Sequence, residues 1–479
     1  MKKLISFSVL FILLIESYAQ QWVDFRYDYD SLLNVTYGSS VDFNGRNTPL
    51  TMDVYLPRCS DPQQISRRPL LLLIHGGAFL AGGKNDANTK ALCTTFARRG
   101  YVTATIEYRL GFIADDVAWS CNYPFYECIF AADTSEWYRA YYRAVQDAKG
   151  ALRYLINRNA TFRIDTNNVF IAGESAGAFT ALGAGLMDTI LERPPFTGSL
   201  PDLPLPSASA LSCGYNTGQV FSGSTIARPD LGSIEGMIEP STIQYTVKAI
   251  GNFYGAMFND LLQWNTTPVK PAIFSFHQPC DIIVPIDADR IYWGFSWCMT
   301  NGYGCSAIAN APRVYGSRYI SQWNATNNYG YTIRDEFTSV SFPYNYLFGT
   351  GSCVDQANNP CHAYDSFSLR NQQLAQFFSG YITTSPICDT ISGIGIGETI
   401  SDKFNVYPTP ASNKLFISFS TNTTGEIALI DATGKCCWRG NVNGEHLLVL
   451  DVESYFAGLY AVVFKNKEGI VRTLRWVKM

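Results

Sequence analysis

One serine in the sequence stands where a nucleophile is expected. Ser175 is the central residue of Gly173–Gly177, which reads Gly-Glu-Ser-Ala-Gly and fits the pattern G-x-S-x-G. An apolar run typical of a short buried strand, Val169–Ala172, precedes it, and a run typical of a closely packed helix, Ala176–Leu186, follows it. A sharp turn between such elements projects the serine oxygen above the sheet and aims the helix N-terminus at it. A solvated serine in a glycine-bearing turn is the alternative that this pattern alone leaves open.

A serine nucleophile needs a base, and three histidines follow Ser175 in the chain. His446 lies in a C-terminal segment of different composition, and we exclude it for that reason. His277 comes before the best candidate for the acid, and we expect it to shape a turn. His362, in the segment Pro360–Tyr364 just before a predicted closing helix, is therefore the predicted base; a solvated loop histidine is the alternative.

The base needs an acid that accepts a hydrogen bond from its ring and stabilises the imidazolium. Asp281 is the predicted acid, because it lies just past the buried run Ala272–Phe276. Asp287 and Asp289 are alternatives, placed less well beyond Pro285. A turn aspartate that caps the next segment is the other interpretation of Asp281.

The tetrahedral intermediate of acyl transfer needs backbone N–H donors. Gly76 and Gly77 directly follow the apolar run Leu70–Ile74 and His75, and glycines allow the backbone to approach an oxyanion closely. We predict an oxyanion hole formed by the amides of Gly76, Gly77 and Ala176, the residue after the nucleophile.

The pattern of apolar runs predicts the elements that position these residues. Strands and helices alternate along the first part of the chain, which indicates an α/β fold with a doubly wound, mostly parallel sheet and helices on both faces. The predicted elements are strands at Thr51–Leu56, Leu70–Ile74, Val102–Glu107, Val169–Ala172 and Ala272–Phe276, and helices at Lys90–Arg99, Trp137–Arg158, Ala176–Leu186 and Leu369–Tyr381. We expect loops at Gly111–Thr134, Pro194–Pro206 and 296–365.

Composition divides the chain into four parts. Residues 1–19 are predicted to be a secretory signal peptide, with Lys2 and Lys3 before a short apolar run. Residues 20–384 are the predicted catalytic domain, and 385–402 a glycine-bearing linker. Short alternating strands at regular spacing then predict a small β-sandwich over 403–479. Its predicted strands are Leu415–Phe419, Ile427–Asp431, His446–Leu450, Leu459–Phe464 and Val471–Val477.

The composition excludes some classes of function. Charged residues make up 16% of the 479 residues and the net charge is −4, which gives no electrostatic footprint for nucleic acid. No segment after the N-terminus is long and apolar enough to predict a membrane span. The 13 cysteines of a secreted chain predict disulfides, with local pairs expected at Cys121–Cys128, Cys298–Cys305 and Cys353–Cys361. We expect no metal site, because none of the four histidines lies in a cluster with ligand spacing.

Four motifs together resemble the α/β-hydrolase fold. They are His75–Phe79, Glu107–Leu110, Gly173–Gly177 and the stretch His277–Pro285. They are similar to secreted carboxylesterases with a His-Gly-Gly oxyanion motif, including the feruloyl- and acetyl-esterase-like branch. The resemblance implies ester hydrolysis through an acyl-enzyme, without a cofactor. In place of the glycine that usually follows the histidine before the acid, the chain has Gln278.

The last module resembles a different family. Its opening Phe404–Ala411, the segment Gly458–Tyr460 and the ending Arg475–Lys478 are similar to the C-terminal sorting domain of type IX secretion in Bacteroidetes-type bacteria, with Thr409 in place of the usual asparagine. The resemblance implies export to the cell surface or medium through the periplasm and the outer-membrane secretion machinery. A carbohydrate-binding or spacer sandwich is the alternative.

These observations predict a secreted serine esterase that acts on a small-molecule or polysaccharide-linked ester, with plant-polysaccharide acetyl or feruloyl esters as the favoured class. A secreted serine peptidase of the same fold and a non-catalytic, hydrolase-like binding protein are the alternatives. No propeller-like repeat array precedes the catalytic segment, which disfavours the peptidase. Candidates for serine, acid and histidine are all present, which disfavours the binding protein.

Overall fold

The chain forms two compact units, residues 1–390 and 391–479. The computed structural model describes residues 21–58, 67–113, 131–205, 223–264, 268–281, 283–291, 311–337, 361–383, 404–407, 413–419, 424–431, 435–466 and 471–478. The predicted signal peptide and linker, and the expected pairs Cys121–Cys128 and Cys298–Cys305, lie outside these residues. No helix in the described ranges has the length and apolar character needed to cross a membrane.

Eight strands form the main sheet of the first unit. They are β1 (Asp28–Val41), β2 (Asn47–Arg58), β3 (Arg68–Ile74), β4 (Val102–Ile106), β5 (Ile164–Glu174), β8 (Val247–Phe253), β10 (Ala272–Phe276) and β13 (Ile333–Glu336). Their order across the sheet is β1-β2-β4-β3-β5-β8-β10-β13. The first two strands are antiparallel to their neighbours, and all pairs from β4 to β13 are parallel. The predicted doubly wound, mostly parallel sheet is confirmed.

The central strands are apolar throughout because both of their faces are covered. All seven residues of β3 are buried. Leu70, Leu72 and Ile74 point into one hydrophobic cluster, whereas Leu71 and Leu73 point into the other. The period of two along a strand therefore divides one continuous apolar run between two cores.

Six α-helices accompany the sheet within the described part of the first unit. They are α1 (Ala87–Arg98), α2 (Thr134–Asn157), α3 (Asn159–Phe162), α4 (Ala176–Leu186), α5 (Ser317–Asn327) and α6 (Phe367–Ser379). Residues of α2 and α4 line one cluster, and residues of α1 and α6 line the other. The predicted helices α1 and α2 each begin three residues earlier than expected, because Asp86 and Asp133 cap their first turns through backbone N–H groups.

Two segments that we expected to be loops contain regular elements. In Pro194–Pro206 lies β6 (Leu200–Pro204), which pairs with β7 (Thr225–Arg228) in a two-stranded ribbon. The segment 296–365 contains α5, β13 and β12 (Arg313–Gly316), which joins β9 (Ala256–Met257) and β11 (Ala288–Arg290). These strands are only two to five residues long, too short to show a periodic pattern.

The second unit consists of two antiparallel sheets around one hydrophobic cluster. Its strands are β14 (Phe404–Tyr407), β15 (Lys414–Phe419), β16 (Thr424–Asp431), β17 (Cys436–Asn443), β18 (Leu447–Asp451), β19 (Gly458–Asn466) and β20 (Val471–Lys478). The sheet orders are β14-β15-β18 and β17-β16-β19-β20. The five predicted strands are present, and β14 and β17 were missed. Most of β17 is exposed or half-buried, so it lacks the apolar alternation of its neighbours.

Candidate active site

The structure brings the three predicted triad residues together at the carboxyl ends of the parallel strands. Ser175 follows β5, Asp281 lies beyond the end of β10, and His362 precedes α6. The Nε2 atom of His362 lies 2.8 Å from Ser175 Oγ, and its Nδ1 atom lies 2.7 Å from Asp281 Oδ2. An ionised carboxylate only accepts, so Nδ1 carries the proton and Nε2 is free to accept the serine hydroxyl.

Ser175 occupies a strained turn. Its φ is 51° and its ψ is −125°, a left-handed region that side chains other than glycine rarely adopt. The Ser175 amide donates to the carbonyl of Phe253 at 2.9 Å, which fixes the turn to the end of β8. A Cβ atom at Gly177 would lie 2.1 Å from the carbonyl oxygen of Ile74, so only glycine lets α4 start this close to β3. The predicted strand-turn-helix geometry is therefore present.

Asp281 is held ionised by its surroundings. The residue is 1% exposed, and its Oδ1 atom accepts hydrogen bonds from the amides of Ile283 and Val284. Burial alone would raise its pKa, but the charge of His362 and hydrogen bonds from His277 and His362 outweigh burial and lower the pKa to about 2. Asp281 is thus suited to stabilise an imidazolium at neutral pH.

His277 contacts the same carboxylate oxygen of Asp281 as the base His362. Its Nε2 atom lies 3.2 Å from Asp281 Oδ2 and 3.1 Å from the Val284 carbonyl, and its Nδ1 atom lies 2.9 Å from Ser317 Oγ. The contact between His277 and the Val284 carbonyl closes the turn between these residues, which is the turn that we expected His277 to shape. Its contact with Ser317 could not be predicted from the sequence, because Ser317 lies 40 residues away in α5.

The two alternative acids lie elsewhere. Asp287 is exposed and forms an ion pair with Arg318, and Asp289 is exposed and accepts from the amide of Arg290. The carboxylate that faces His362 is that of Asp281.

The glycines of the predicted oxyanion hole pass beside Ser175. A Cβ atom at Gly76 would lie 3.2 Å from Ser175 Cβ, and Gly77 has a φ of 117°. His75 is fully buried, contacts the Gly76 carbonyl through Nδ1 at 2.7 Å and stacks on Tyr108. Burial lowers the pKa of His75 to about 4, so this ring is a neutral structural support. Helix geometry leaves the first-turn amide of Ala176 without an acceptor inside α4.

A buried glutamate with a half-buried acidic neighbour lies beside the nucleophile, and the sequence did not point to this pair. Glu174 accepts a hydrogen bond from Tyr254 at 2.7 Å and shares a hydrogen bond with Asp86. Burial, together with the charge of Asp86, raises the pKa of Glu174 to about 7. The ring of Tyr254 also packs edge-on against His362, with 4.9 Å between centroids.

A disulfide joins the acid and base segments. Cys280 is bonded to Cys361, with 5.5 Å between their Cα atoms, so the expected Cys353–Cys361 pair is wrong. The expectation relied on short spacing, whereas the fold brings together residues 81 positions apart. Gln278, in place of the usual glycine, donates from Nε2 to the carbonyl of Ala363 at 3.0 Å. Among the residues that the structure describes, no cluster of three or more histidine, cysteine or acidic side chains could hold a metal ion.

Comparisons with known families match both parts of the chain. Residues 52–117 and 135–277 match the BD-FAE family, and residues 405–478 match the family described as secretion system C-terminal sorting domain. The BD-FAE match contains the nucleophile turn and the predicted oxyanion glycines and ends at His277.

Characterised relatives align over shorter stretches. Phenmedipham hydrolase from Pseudarthrobacter oxydans is 29% identical over 156 residues, which are 31% of this chain and 27% of that protein. Carboxylesterase 1D from Mus musculus is 31% identical over 131 residues, 27% of this chain and 20% of that protein. Gut esterase 1 from Caenorhabditis elegans is 27% identical over 117 residues, 24% of this chain and 18% of that protein. The chain thus spans about a quarter or less of the length of these relatives.

Solved structures show a distant likeness. A truncated carbohydrate esterase from gut microbiota has 15% identity and a TM-score of 0.39 over 75% of this chain and 98% of that chain. Esterase B from Lactobacillus rhamnosis has 12% identity and a TM-score of 0.37 over 76% of this chain and 88% of that chain.

Proposed function

We propose that this chain, a BD-FAE α/β-hydrolase esterase domain followed by a secretion system C-terminal sorting domain, is an exported serine hydrolase that cleaves carboxylic esters. The observation that carries the proposal is the continuous hydrogen-bonded path from Ser175 through His362 to Asp281. Such a path activates a serine for attack on an acyl carbon.

Each triad member has one role in the proposed reaction. Ser175 Oγ attacks the ester carbonyl carbon while His362 Nε2 takes its proton, and Asp281 stabilises the resulting imidazolium. The imidazolium then gives its proton to the departing alcohol, which leaves an acyl group on Ser175. A water molecule, deprotonated by His362, attacks the acyl carbon and releases the acid and the free serine.

The oxyanion of both tetrahedral intermediates would be held by the amides of Gly76, Gly77 and Ala176. The close approach of Gly76 to Ser175 and the position of Ala176 at the helix N-terminus support this assignment. Removing one donor of this kind typically costs about 10²–10³-fold in turnover.

The proposed substrates are acetyl or feruloyl esters attached to plant polysaccharides. Two facts support this class: the match to the BD-FAE family and a sorting domain that carries the chain to where polymers are found. Polymer esters cannot enter a cell, so an enzyme acting on them must be exported.

Probe labelling and turnover test the reaction class. We expect the full-length protein to react with a fluorophosphonate probe and to hydrolyse p-nitrophenyl acetate. Ser175→Ala should lose labelling altogether and turnover by at least about 10⁴-fold. Acetylated xylan, methyl ferulate and a peptide panel then identify the substrate class. Turnover that survives in Ser175→Ala, or cleavage of peptides but not esters, would refute the proposal.

A further inference from the structure

We propose that Gln278, Cys280 and Cys361 are positioning residues that hold the base His362 against the acid Asp281, an inference that rests on the proposed ester hydrolysis. The first tie is covalent. Cys280 directly precedes the acid, Cys361 directly precedes the base, and the disulfide joins them in a fully buried position. One bond therefore fixes the distance between two catalytic segments that are 81 residues apart in sequence.

The second tie is a hydrogen bond on the other side of the base. Gln278 is fully buried, and its Nε2 atom donates to the carbonyl of Ala363, the residue after His362. The base is thus held at the preceding residue by a covalent bond and at the following residue by a hydrogen bond. Both ties lead to the same turn, His277–Asp281.

The turn to which the ties lead is itself fixed. The amide of Asp281 donates to the carbonyl of Gln278 at 3.0 Å, and His277 is anchored to Ser317 and to Val284. Because the turn is fixed, the residues bonded to it are held in a fixed position as well. Because a misplacement of about 1 Å can cost 10²-fold in rate, holding the base from both sides should raise the rate of catalysis.

Four of the described residues interact with the imidazole ring itself. Ser175 and Asp281 bond to its two nitrogens, the Tyr254 ring packs edge-on against it, and Glu174 is the further carboxyl that interacts with it electrostatically. None of these contacts holds the backbone of Cys361–Ala363. Losing a tie should therefore lengthen the His362–Asp281 contact.

Three variants of the full-length protein test the inference. Gln278→Met removes the donor and keeps the side-chain volume, and the double change Cys280→Ala with Cys361→Ala removes the covalent tie. Asn371→Leu is the matched control, because this buried side chain donates a comparable hydrogen bond to Thr95 Oγ1 at 2.8 Å, away from the triad.

The expected result separates positioning from simple stability. We expect kcat for p-nitrophenyl acetate to fall about 10-fold in Gln278→Met and about 10²-fold in the double variant, with KM changed less than about twofold. The acid limb of the kcat/KM profile should move to lower pH, because Asp281 no longer stabilises the imidazolium fully. Asn371→Leu should lose stability but keep kcat and the pH profile.

Two outcomes would overturn the inference. The first is a kcat within twofold of wild type together with an unchanged pH profile in the tie variants, which are Gln278→Met and the double cysteine change. If the double variant does not fold, Gln278→Met alone tests the inference. A wild-type protein that hydrolyses no ester refutes the proposed function instead. The ties are then tested by the low-field proton signal of His362 Nδ1, which should weaken or disappear in the tie variants and persist in Asn371→Leu. The second outcome is an unchanged Nδ1 proton signal in all variants, which would overturn the inference independently of activity.

Discussion

At the scale of single residues, two buried carboxyl groups of the site have pKa values that are shifted in opposite directions. Asp281 and Glu174 are both buried, yet the pKa of Asp281 falls to about 2 and that of Glu174 rises to about 7. The difference lies in their partners. Asp281 meets two imidazoles and two backbone amides, whereas Glu174 meets a tyrosine hydroxyl and a second carboxyl.

Glu174→Gln should change the pH dependence of stability. An unfolded chain releases the Glu174 proton near its ordinary pKa of 4.5, but the folded protein keeps it until about pH 7. Between these values the folded state binds more protons, so the free energy of unfolding falls as pH rises. Glutamine removes this loss. Relative to wild type, the variant should gain on the order of 3 kcal/mol between pH 4.5 and pH 8, measured by urea unfolding. Parallel curves for the two proteins would contradict the prediction.

At the scale of elements, the positions of the triad residues could be predicted because each lies next to a local pattern. Ser175 and Asp281 each follow an apolar run, and His362 precedes a helix; chain order supplied the rest. The contacts that support the three residues could not be predicted. The Cys280–Cys361 bond and the Gln278 contact with Ala363 depend on segments that only the fold brings together.

Some strands were missed for a different physical reason. The central strand β8 contains the buried Asn252, which bonds to Ser317 Oγ at 3.0 Å and accepts from the amide of Gly255 at 3.1 Å. Satisfied polar side chains interrupt the apolar run that indicates a buried strand. The edge strand β1 escapes detection because most of its residues are exposed or half-buried.

The site should be most sensitive to a displacement of the N-terminus of α4. In Gly177→Ala the new Cβ would lie 2.1 Å from the Ile74 carbonyl oxygen and 2.5 Å from that of His75, so α4 and the end of β3 must separate. We expect kcat/KM to fall at least about 10²-fold, because Ser175 and Gly76 move apart.

Ala184→Gly in the same helix is the control for that change. It costs about 1 kcal/mol of stability through helix propensity but leaves the nucleophile turn in place. Both variants are measured by thermal unfolding and by steady-state kinetics. Equal activity losses in the two variants would show that the turn is not the sensitive element.

At the scale of the whole molecule, catalysis and export belong to different compact units. The proposed triad lies entirely in residues 1–390, and the segment that matches the sorting-domain family lies entirely in residues 391–479. Each unit has hydrophobic clusters of its own. A change in one core should therefore affect one function and spare the other.

Trp476→Ala tests this separation in the intact chain. Trp476 is fully buried in the second unit and packs against Tyr460, with 5.2 Å between ring centroids. Truncating it should cost that unit about 3–5 kcal/mol and reduce the exported fraction in a host with the matching secretion machinery. The kcat/KM of the purified variant should equal that of wild type. Ser175→Ala should show the reverse, with normal export and no turnover. If the kcat/KM of purified Trp476→Ala fell together with its exported fraction, the two units would not be functionally independent.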